Sequence, residues 1–248
     1  MNLLSVDWDY FFDLSGEKTD QWALYDWGHS EKWGSDLLGV IWQSRAIGFT
    51  HYGLPLPTTT GEEATFWSRF RFSEDAELYV AESHKAAISP VVAEGITEVW
   101  NYDAHHDAGY DKAALLTVMN DQRVSCQDWL LGYKVTNGLT GKNMHVRYPK
   151  WRAYALKEEP TPPLKGIDRA VDDGEPVDTI FDRVFIARSG AWTPPWVDEQ
   201  FQELVASCPV MLTEAIDDLE LVRPWNAEAM VEQMKAEKEL REQLTDQK

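Results

Sequence analysis

Cysteine is scarce in this chain, and basic residues are far outnumbered by acidic ones. The two cysteines, Cys126 and Cys208, form no metal-ligand spacing, which argues against a disulfide framework and indicates a reducing, cytoplasmic compartment. The sequence has 23 Lys and Arg against 42 Asp and Glu, for a net charge of −19. Nucleic acids and anionic membranes attract clustered positive charge. We therefore expect neither as a partner, and a neutral or cationic small-molecule substrate instead.

Long hydrophobic runs and internal repeats are also missing. No apolar run approaches the roughly 20 residues that cross a membrane, and the start, MNLLSVDWDYFFD, is acidic rather than basic as in a signal peptide. We find no repeat of solenoid or propeller length. With 44% hydrophobic residues, the chain can bury a sizeable core. We expect one α/β domain over residues 1–248.

Short apolar runs alternate with helical patterns along the chain. The patterns predict strands at 2–8, 77–82, 97–104, 143–148 and 183–188, and helices at 35–47, 60–70, 84–95, 112–119, 127–133 and 194–207, with Pro90 breaking the third helix. This alternation is typical of a mostly parallel sheet covered on both faces, a three-layer α/β/α fold. Residues 157–178 read as a loop-rich insertion. Residues 226–248 read as a charged helix that is either a solvated face or an oligomer contact.

Residues that commonly bind metals follow three of the predicted strands. They are Asp7 and Asp9 in SVDWDYF, His84 in VAESH, and Asp103, His105 and Asp107 in NYDAHHD. Side chains two apart on a strand share a face, and parallel sheets bind ligands beyond the carboxyl ends of their strands. Four carboxylates and two imidazoles in one cleft would be costly without a counter-charge. Two divalent cations balance them, and mixed oxygen and nitrogen ligands suit Mn²⁺, Zn²⁺ or Fe²⁺ better than Ca²⁺.

Each motif also has an ordinary interpretation when it is taken alone. An Asp-x-Asp pair is more often a cap, a turn or a solvated edge, and a lone histidine such as His84 is more often a satisfied core or surface residue. DAHHD at a strand end is a stronger signal. What favours a metal site is the joint occurrence, because three predicted strands end in the required residue types.

The three motifs resemble those of the ureohydrolase superfamily, which includes arginase, agmatinase and, more distantly, the metal-dependent deacetylases. DAHHD (103–107) matches the Asp-Ala-His-x-Asp signature at every fixed position, and DWD (7–9) matches Asp-x-Asp. ESH (82–84) resembles Gly-Asp-His, with Glu82 in place of the family's Asp. In arginase-like enzymes Asp-x-Asp follows Asp-Ala-His-x-Asp, whereas here it precedes it. The resemblance covers roughly residues 1–130 and marks the chain as a divergent branch.

The resemblance implies a binuclear manganese site and hydrolysis of C–N bonds in guanidino or amide substrates. One metal would take His84, Asp103, Asp107 and Asp7, and the other would take Asp103, His105, Asp7 and Asp9. Asp103 and Asp7 would bridge the two ions. A hydroxide held between the ions would be the nucleophile, because the cations lower its pKa.

Other residues are candidates for catalysis and for substrate binding. The family's proton-shuttle histidine has no counterpart in VSCQDWLLG (124–132), so His106, His145 or Asp128 would serve. His106 is also well explained as a residue pointing away from the metals. In FIARSGAW, we expect Ser189 at the substrate pocket, and Trp192 either as a wall of that pocket or packed in the core. Arg188 would either bind a substrate carboxylate through two parallel hydrogen bonds or pair with an acid of the protein.

Two other functions remain open. LLSVDWDYF also resembles the first motif of haloacid-dehalogenase-type phosphatases, in which Asp7 would be the nucleophile, Asp9 the acid/base and Mg²⁺ the cofactor. Those enzymes usually follow the pair with Gly and Thr, whereas Tyr10 and Phe11 stand here, and that interpretation leaves DAHHD unexplained. The third possibility is a catalytically degenerate arginase-like fold that binds metal.

Overall fold

A seven-stranded, all-parallel sheet organises the computed structural model, which describes residues 1–13 and 35–226 together with 228, 229, 232, 233, 235 and 236. The strands are β1 Asn2–Asp7, β2 Arg71–Ala81, β3 Glu98–Tyr102, β4 Met144–Tyr148, β5 Asp168–Val171, β6 Ile180–Ala187 and β7 Leu212–Ala215. Their order in the sheet is β5-β4-β3-β1-β6-β2-β7. β1 therefore lies at the centre, hydrogen-bonded to β3 on one side and to β6 on the other.

Helices cover both faces of the sheet. They are α1 Ser35–His51, α2 Pro90–Ala93, α3 Lys112–Asp121, α4 Trp129–Thr136, α5 Ala155–Glu158 and α6 Asp198–Ser207. One core packs the 3-10 helix Glu62–Arg69 and α6 against the sheet through Phe66 and Phe201. The other core packs α4 against the opposite face around Trp129. The predicted three-layer α/β/α fold is thus confirmed.

Several element boundaries differ from the sequence-based expectation. The segment 157–178 is not only loop, because it holds the edge strand β5, and the opposite edge strand β7 was not predicted at all. The helix predicted at 60–70 is a 3-10 helix, and α1 continues past the predicted end at residue 47 to His51. Pro90 does not end a helix, as was predicted, but begins α2 after a separate 3-10 turn at His84–Ile88. Most of the predicted helix at 226–248 lies outside the described residues.

The central strands bring distant parts of the chain to one place. The sheet register puts Asp7 of β1, Ala187 of β6 and Ala81 of β2 in one row. The two alanines are small, so they leave room above the sheet for the His84 side chain to reach back across β6 toward Asp7. In the described part of the chain, no helix has the length and apolar character needed to cross a membrane.

Candidate metal centre

The end of β1 fixes two carboxylates through a tight 3-10 turn. Asp7 is the last residue of the strand, and its Oδ1 accepts the backbone N–H of Asp9 at 3.0 Å as the turn Trp8–Phe11 begins. The Asp9 carboxylate in turn accepts the N–H of Ala104 at 3.3 Å. The two ligand-bearing segments are therefore tied to each other by backbone donors, even though the sequence separates them by 95 positions.

The DAHHD segment folds back beyond the end of β3 in a compact loop. The Asp103 carboxylate accepts the N–H of His105 at 2.7 Å and the side-chain amide of Asn101 at 3.0 Å. Asp107 adopts a positive φ of 48°, a conformation that costs a non-glycine residue about 1–3 kcal/mol. Gly109 follows with a φ of 71°, and a Cβ there would lie 2.8 Å from Leu131. The sequence needs glycine at this position for both reasons.

His84 is completely buried between two strand ends. Its Nδ1 lies 3.0 Å from an oxygen of Asp7, 3.3 Å from Asp103 and 3.4 Å from Asp107. The imidazole stacks on the indole of Trp129 with ring centroids 4.4 Å apart. The indole N–H also donates to Asp107 at 3.0 Å, so one side chain orients two candidate ligands.

The six residues predicted as metal ligands come together as two groups that share Asp103. The first group is Asp7, His84, Asp103 and Asp107, and the second is Asp9, Asp103 and His105; within each group the ligand atoms lie within 4.8 Å of one another. The sequence-based assignment had Asp7 in both groups, whereas the geometry places it only in the first. His105 is the outer member, with a side chain that is 31% exposed.

Burial and crowding shift the pKa values of this cluster in opposite directions. Burial, together with the charges of Asp7 and Asp103, raises the pKa of Asp9 to about 7. Burial and the Asp103 charge likewise raise the pKa of Asp107 well above its usual range. Burial alone would raise the pKa of Asp103, but hydrogen bonds from His105 and His84 hold it below its usual range.

The pKa values of the two histidines, His84 and His105, are both raised. Burial alone would lower both pKa values, yet hydrogen bonds to Asp103, Asp107 and Asp7 raise the pKa of His84 well above its usual range. Hydrogen bonds to Asp103 and Asp9 do the same for His105. In the described part of the chain, these histidines are the ion-pair partners of the four carboxylates. Bound protons thus offset part of the negative charge of the cluster, and its mixed donors fit divalent transition metals.

A cavity of about 130 Å³ opens onto the outer side of this cluster. It is lined by Asp7, Asp9, His105, Asp107, Tyr110, Cys126, Gln127, Ser189 and Trp192. A ligand in the cavity would therefore touch both candidate metal groups directly. Apart from the candidate ligands, the side chains that line it are uncharged.

The structure divides the residues predicted to bind substrate. Ser189 and Trp192 line the cavity, and Ser189 Oγ also donates to Asp7 at 2.6 Å. Arg188 does not line it. Its guanidinium is buried against Glu82, which accepts from Nε at 2.7 Å, and it lies 3.8 Å from Asp198. Of the two roles considered for Arg188, the structure shows pairing with the protein's own acids, and the substrate clamp stays a prediction.

The residues predicted as proton shuttles lie outside the cavity wall. His106 is buried, its Nε2 bonds the carbonyl of Pro160 at 2.9 Å, and its Nδ1 accepts the N–H of Ala108 at 3.0 Å. Both ring nitrogens are thus used by the backbone, which argues against proton exchange with a substrate. Asp128 accepts from the backbone N–H of Ser125 at 2.6 Å, beside α4. His145 stacks on Trp100 within the sheet, at 4.3 Å.

Several residues that support the cluster were not identified from the sequence. Ser5, Asn101 and Trp129 each hydrogen-bond a candidate ligand. Ser5 and Asn101 lie two positions before Asp7 and Asp103, on the same face of their strands. A polar residue at that spacing within an apolar strand is the signal that would have found them. Trp129 carried no such signal.

A short 3-10 turn, Lys150–Arg152, holds both ligand segments from outside. The indole N–H of Trp151 donates to the carbonyl of Tyr10 at 3.2 Å, next to Asp9. Arg152 Nε donates to the carbonyl of Ala104 at 2.7 Å, inside DAHHD. The end of β4 therefore contributes to the geometry of the centre without supplying a ligand.

Comparisons of the chain with protein-family models, with curated proteins and with solved structures find no match. Its own fold and site define its class. It is a three-layer α/β protein with a buried carboxylate–imidazole cluster at the carboxyl edge of a parallel sheet.

Proposed function

We propose that the protein is a metal-dependent hydrolase of C–N bonds, with two divalent cations, Mn²⁺ above all, held by the carboxylate–imidazole cluster. The observation that carries this proposal is the pair of ligand groups that share Asp103 and face one cavity. When bound, such ions would act as Lewis acids and lower the pKa of a coordinated water. Guanidino or amide substrates are chosen because DAHHD and DWD resemble the ureohydrolase signatures.

The chain's own residues would then order the centre and the substrate. Asp103, hydrogen-bonded by His105 N–H and by Asn101, would be shared by the two ions. Ser189 would hold Asp7 in its ligating orientation through a 2.6 Å hydrogen bond. Trp192, which lines the cavity, would pack against the substrate. Burial of the cluster strengthens each of these electrostatic contacts.

The first experiment is the metal content of protein purified without chelator and resupplied with Mn²⁺, Zn²⁺ or Fe²⁺, measured by elemental mass spectrometry. We expect close to two ions per chain in the wild type and a loss of both in Asp103→Asn. The matched control is Asp168→Asn, which removes a carboxylate that is 52% exposed at the sheet edge. The control should keep the wild-type metal content.

The second experiment is a hydrolysis screen of the Mn²⁺-loaded protein with guanidino and N-acylamino compounds, following the release of urea, ammonia or free amine. Turnover that Asp103→Asn abolishes supports the hydrolase. Two bound ions without any turnover would refute the hydrolase and leave the metal-binding, degenerate fold.

The phosphatase alternative is tested with the same preparations. It predicts weak Mg²⁺ binding, no tight transition metal, and release of phosphate from p-nitrophenyl phosphate. The geometry offers it little support, because Asp7, its nucleophile, is already engaged by Ser189, by the N–H of Asp9 and by His84.

A further inference from the structure

We propose that Ser5 is a positioning residue for the candidate metal centre, because its hydroxyl fixes which nitrogen of His84 faces the carboxylates. This inference rests on the metal centre of the proposed function, and not on the reaction that the centre performs. It assigns a role to a strand residue that lies below the ligands and does not line the cavity.

The contact between Ser5 and His84 is short and fully enclosed. Ser5 lies in the middle of the central strand β1, with no exposed surface, and His84 has none either. Ser5 Oγ is 2.6 Å from His84 Nε2. Among the described residues, Ser5 is the hydrogen-bond partner of that nitrogen, while Nδ1 faces Asp7, Asp103 and Asp107.

The neighbouring aromatic rings cannot make this choice themselves. His84 stacks between Trp129 at 4.4 Å and Phe185 at 5.8 Å, with interplanar angles of 23° and 19°. Such stacking sets the plane of the imidazole. A half-turn of the ring about its Cβ–Cγ bond would keep the same plane but would turn carbon atoms toward the carboxylates. The hydrogen bond to Ser5 at Nε2 favours the observed orientation, and it acts together with the contacts of Nδ1 to the carboxylates.

The Ser5 hydroxyl also favours the protonation state that His84 needs as a metal ligand. If Nδ1 gives its lone pair to a cation, the ring proton must lie on Nε2. Ser5 Oγ then accepts that N–H. Metal-binding histidines nearly always donate their second ring N–H in this way, and loss of the partner typically lowers metal affinity about 10–100-fold.

The test is the Mn²⁺ affinity of Ser5→Ala, measured by isothermal titration calorimetry at fixed pH. We expect one equivalent of Mn²⁺ to bind about 10–100-fold more weakly than in the wild type. Ser5→Thr keeps the hydroxyl and suits a strand, so it should restore most of the affinity. If Ser5→Ala fails to fold, Ser5→Cys keeps the volume with a much weaker acceptor and should show the same loss.

The matched control is Ser89→Ala. Ser89 Oγ is also buried, and within the described chain it has no hydrogen-bond partner. Removing it deletes a buried serine hydroxyl without touching the centre, so its Mn²⁺ affinity should equal that of the wild type.

A spectroscopic readout separates positioning from a merely structural role. Nitrogen-15 NMR of the Zn²⁺-loaded wild type should show His84 ligated through Nδ1, with a slowly exchanging Nε2–H. In Ser5→Ala that proton should exchange faster or the ring resonances should split into two orientations. An unchanged spectrum, or an Mn²⁺ affinity within about 2-fold of the wild type, would overturn the proposal.

The outcome also distinguishes this proposal from the proposed reaction. A wild type that binds two ions but hydrolyses nothing refutes the hydrolase, while the Ser5 series still decides the role of the hydroxyl. A wild type that binds neither Mn²⁺ nor Zn²⁺ overturns the role of Ser5 together with the metal centre.

Discussion

Raising the pH should weaken the fold of the metal-free protein, and Mn²⁺ should reverse that loss. The reason is the set of cluster groups that hold protons more tightly in the folded chain than in the unfolded one. Asp9, Asp107, His84 and His105 all have raised pKa values. The perturbation is therefore simple, namely removal of metal with a chelator followed by a change of pH from 5.5 to 7.5.

The sign follows from proton linkage. Asp9 ionises near 3.8 when unfolded and at about 7 when folded, so stability falls as the pH rises between those values. His84 and His105 contribute stability that is complete below 6.5 and is lost as the pH rises through their raised folded pKa values. Asp103 acts in the opposite sense, but its lowered pKa confines that effect to pH below about 3.8. One extra bound proton corresponds to about 1.4 kcal/mol per pH unit.

The assay is urea unfolding at pH 5.5, 6.5 and 7.5, with EDTA or with Mn²⁺. The free energy of unfolding in EDTA should fall by at least about 1.4 kcal/mol per unit, and Asp9→Asn should flatten part of that slope. Calorimetric Mn²⁺ titrations at pH 7, in buffers of different ionisation enthalpy, should report release of about two to four protons. A free energy of unfolding in EDTA that is independent of pH, or metal binding without proton release, would refute the reasoning.

Three further perturbations test other parts of the centre. Trp129→Phe keeps the stack on His84 but deletes the N–H to Asp107, so Mn²⁺ affinity measured by calorimetry should fall about 10-fold, and an unchanged affinity would contradict that contact. Arg188→Met removes the charged partner of Glu82, which is 39% exposed, while Asp198 keeps Arg223. Urea unfolding should therefore show a loss of about 1–3 kcal/mol with an unchanged Mn²⁺ stoichiometry; a raised KM at unchanged stability would favour the substrate clamp instead. His106→Gln should lower the free energy of unfolding by about 1–3 kcal/mol and leave the pH profile of any activity unaltered. Loss of one limb of that profile would instead support His106 as the proton shuttle.

The positions of the candidate ligands were predictable because strand geometry is regular. Once β1, β2 and β3 are recognised as parallel strands, their carboxyl ends must share one edge of the sheet. Alternation along a strand then predicts that Asp103 and its neighbours face one cleft. The structure reaches the cluster by another route, because β1 ends at Asp7 and β3 at Tyr102. Asp9, His105 and Asp107 are therefore placed by the turn and the loop that follow these strands, which alternation does not describe.

The parts that were not predicted depend on tertiary contacts or on weak local patterns. β7 is almost wholly exposed and β5 is half-buried, so neither edge strand carries the apolar run that marks a buried strand. Arg188 meets Glu82 across 106 positions of sequence, and no local pattern reveals that pairing. The backbone bonds that occupy His106 depend in the same way on how the loop containing Pro160 returns to it.

The central place of β1 also constrains the order in which the molecule can assemble. β1 carries Asp7 but needs β6 as a neighbour, and the hydrogen bond from Asn2 to Asp182 spans 180 positions. Contacts of such long range form slowly. During synthesis β1 and β3 can pair long before β6 has been made. The edge of β1 that pairs with β6 therefore stays without its partner strand until then. A nascent chain that stops before β6 would lack Phe185, the ring that stacks on His84, so the carboxylate–imidazole cluster could not reach its final geometry.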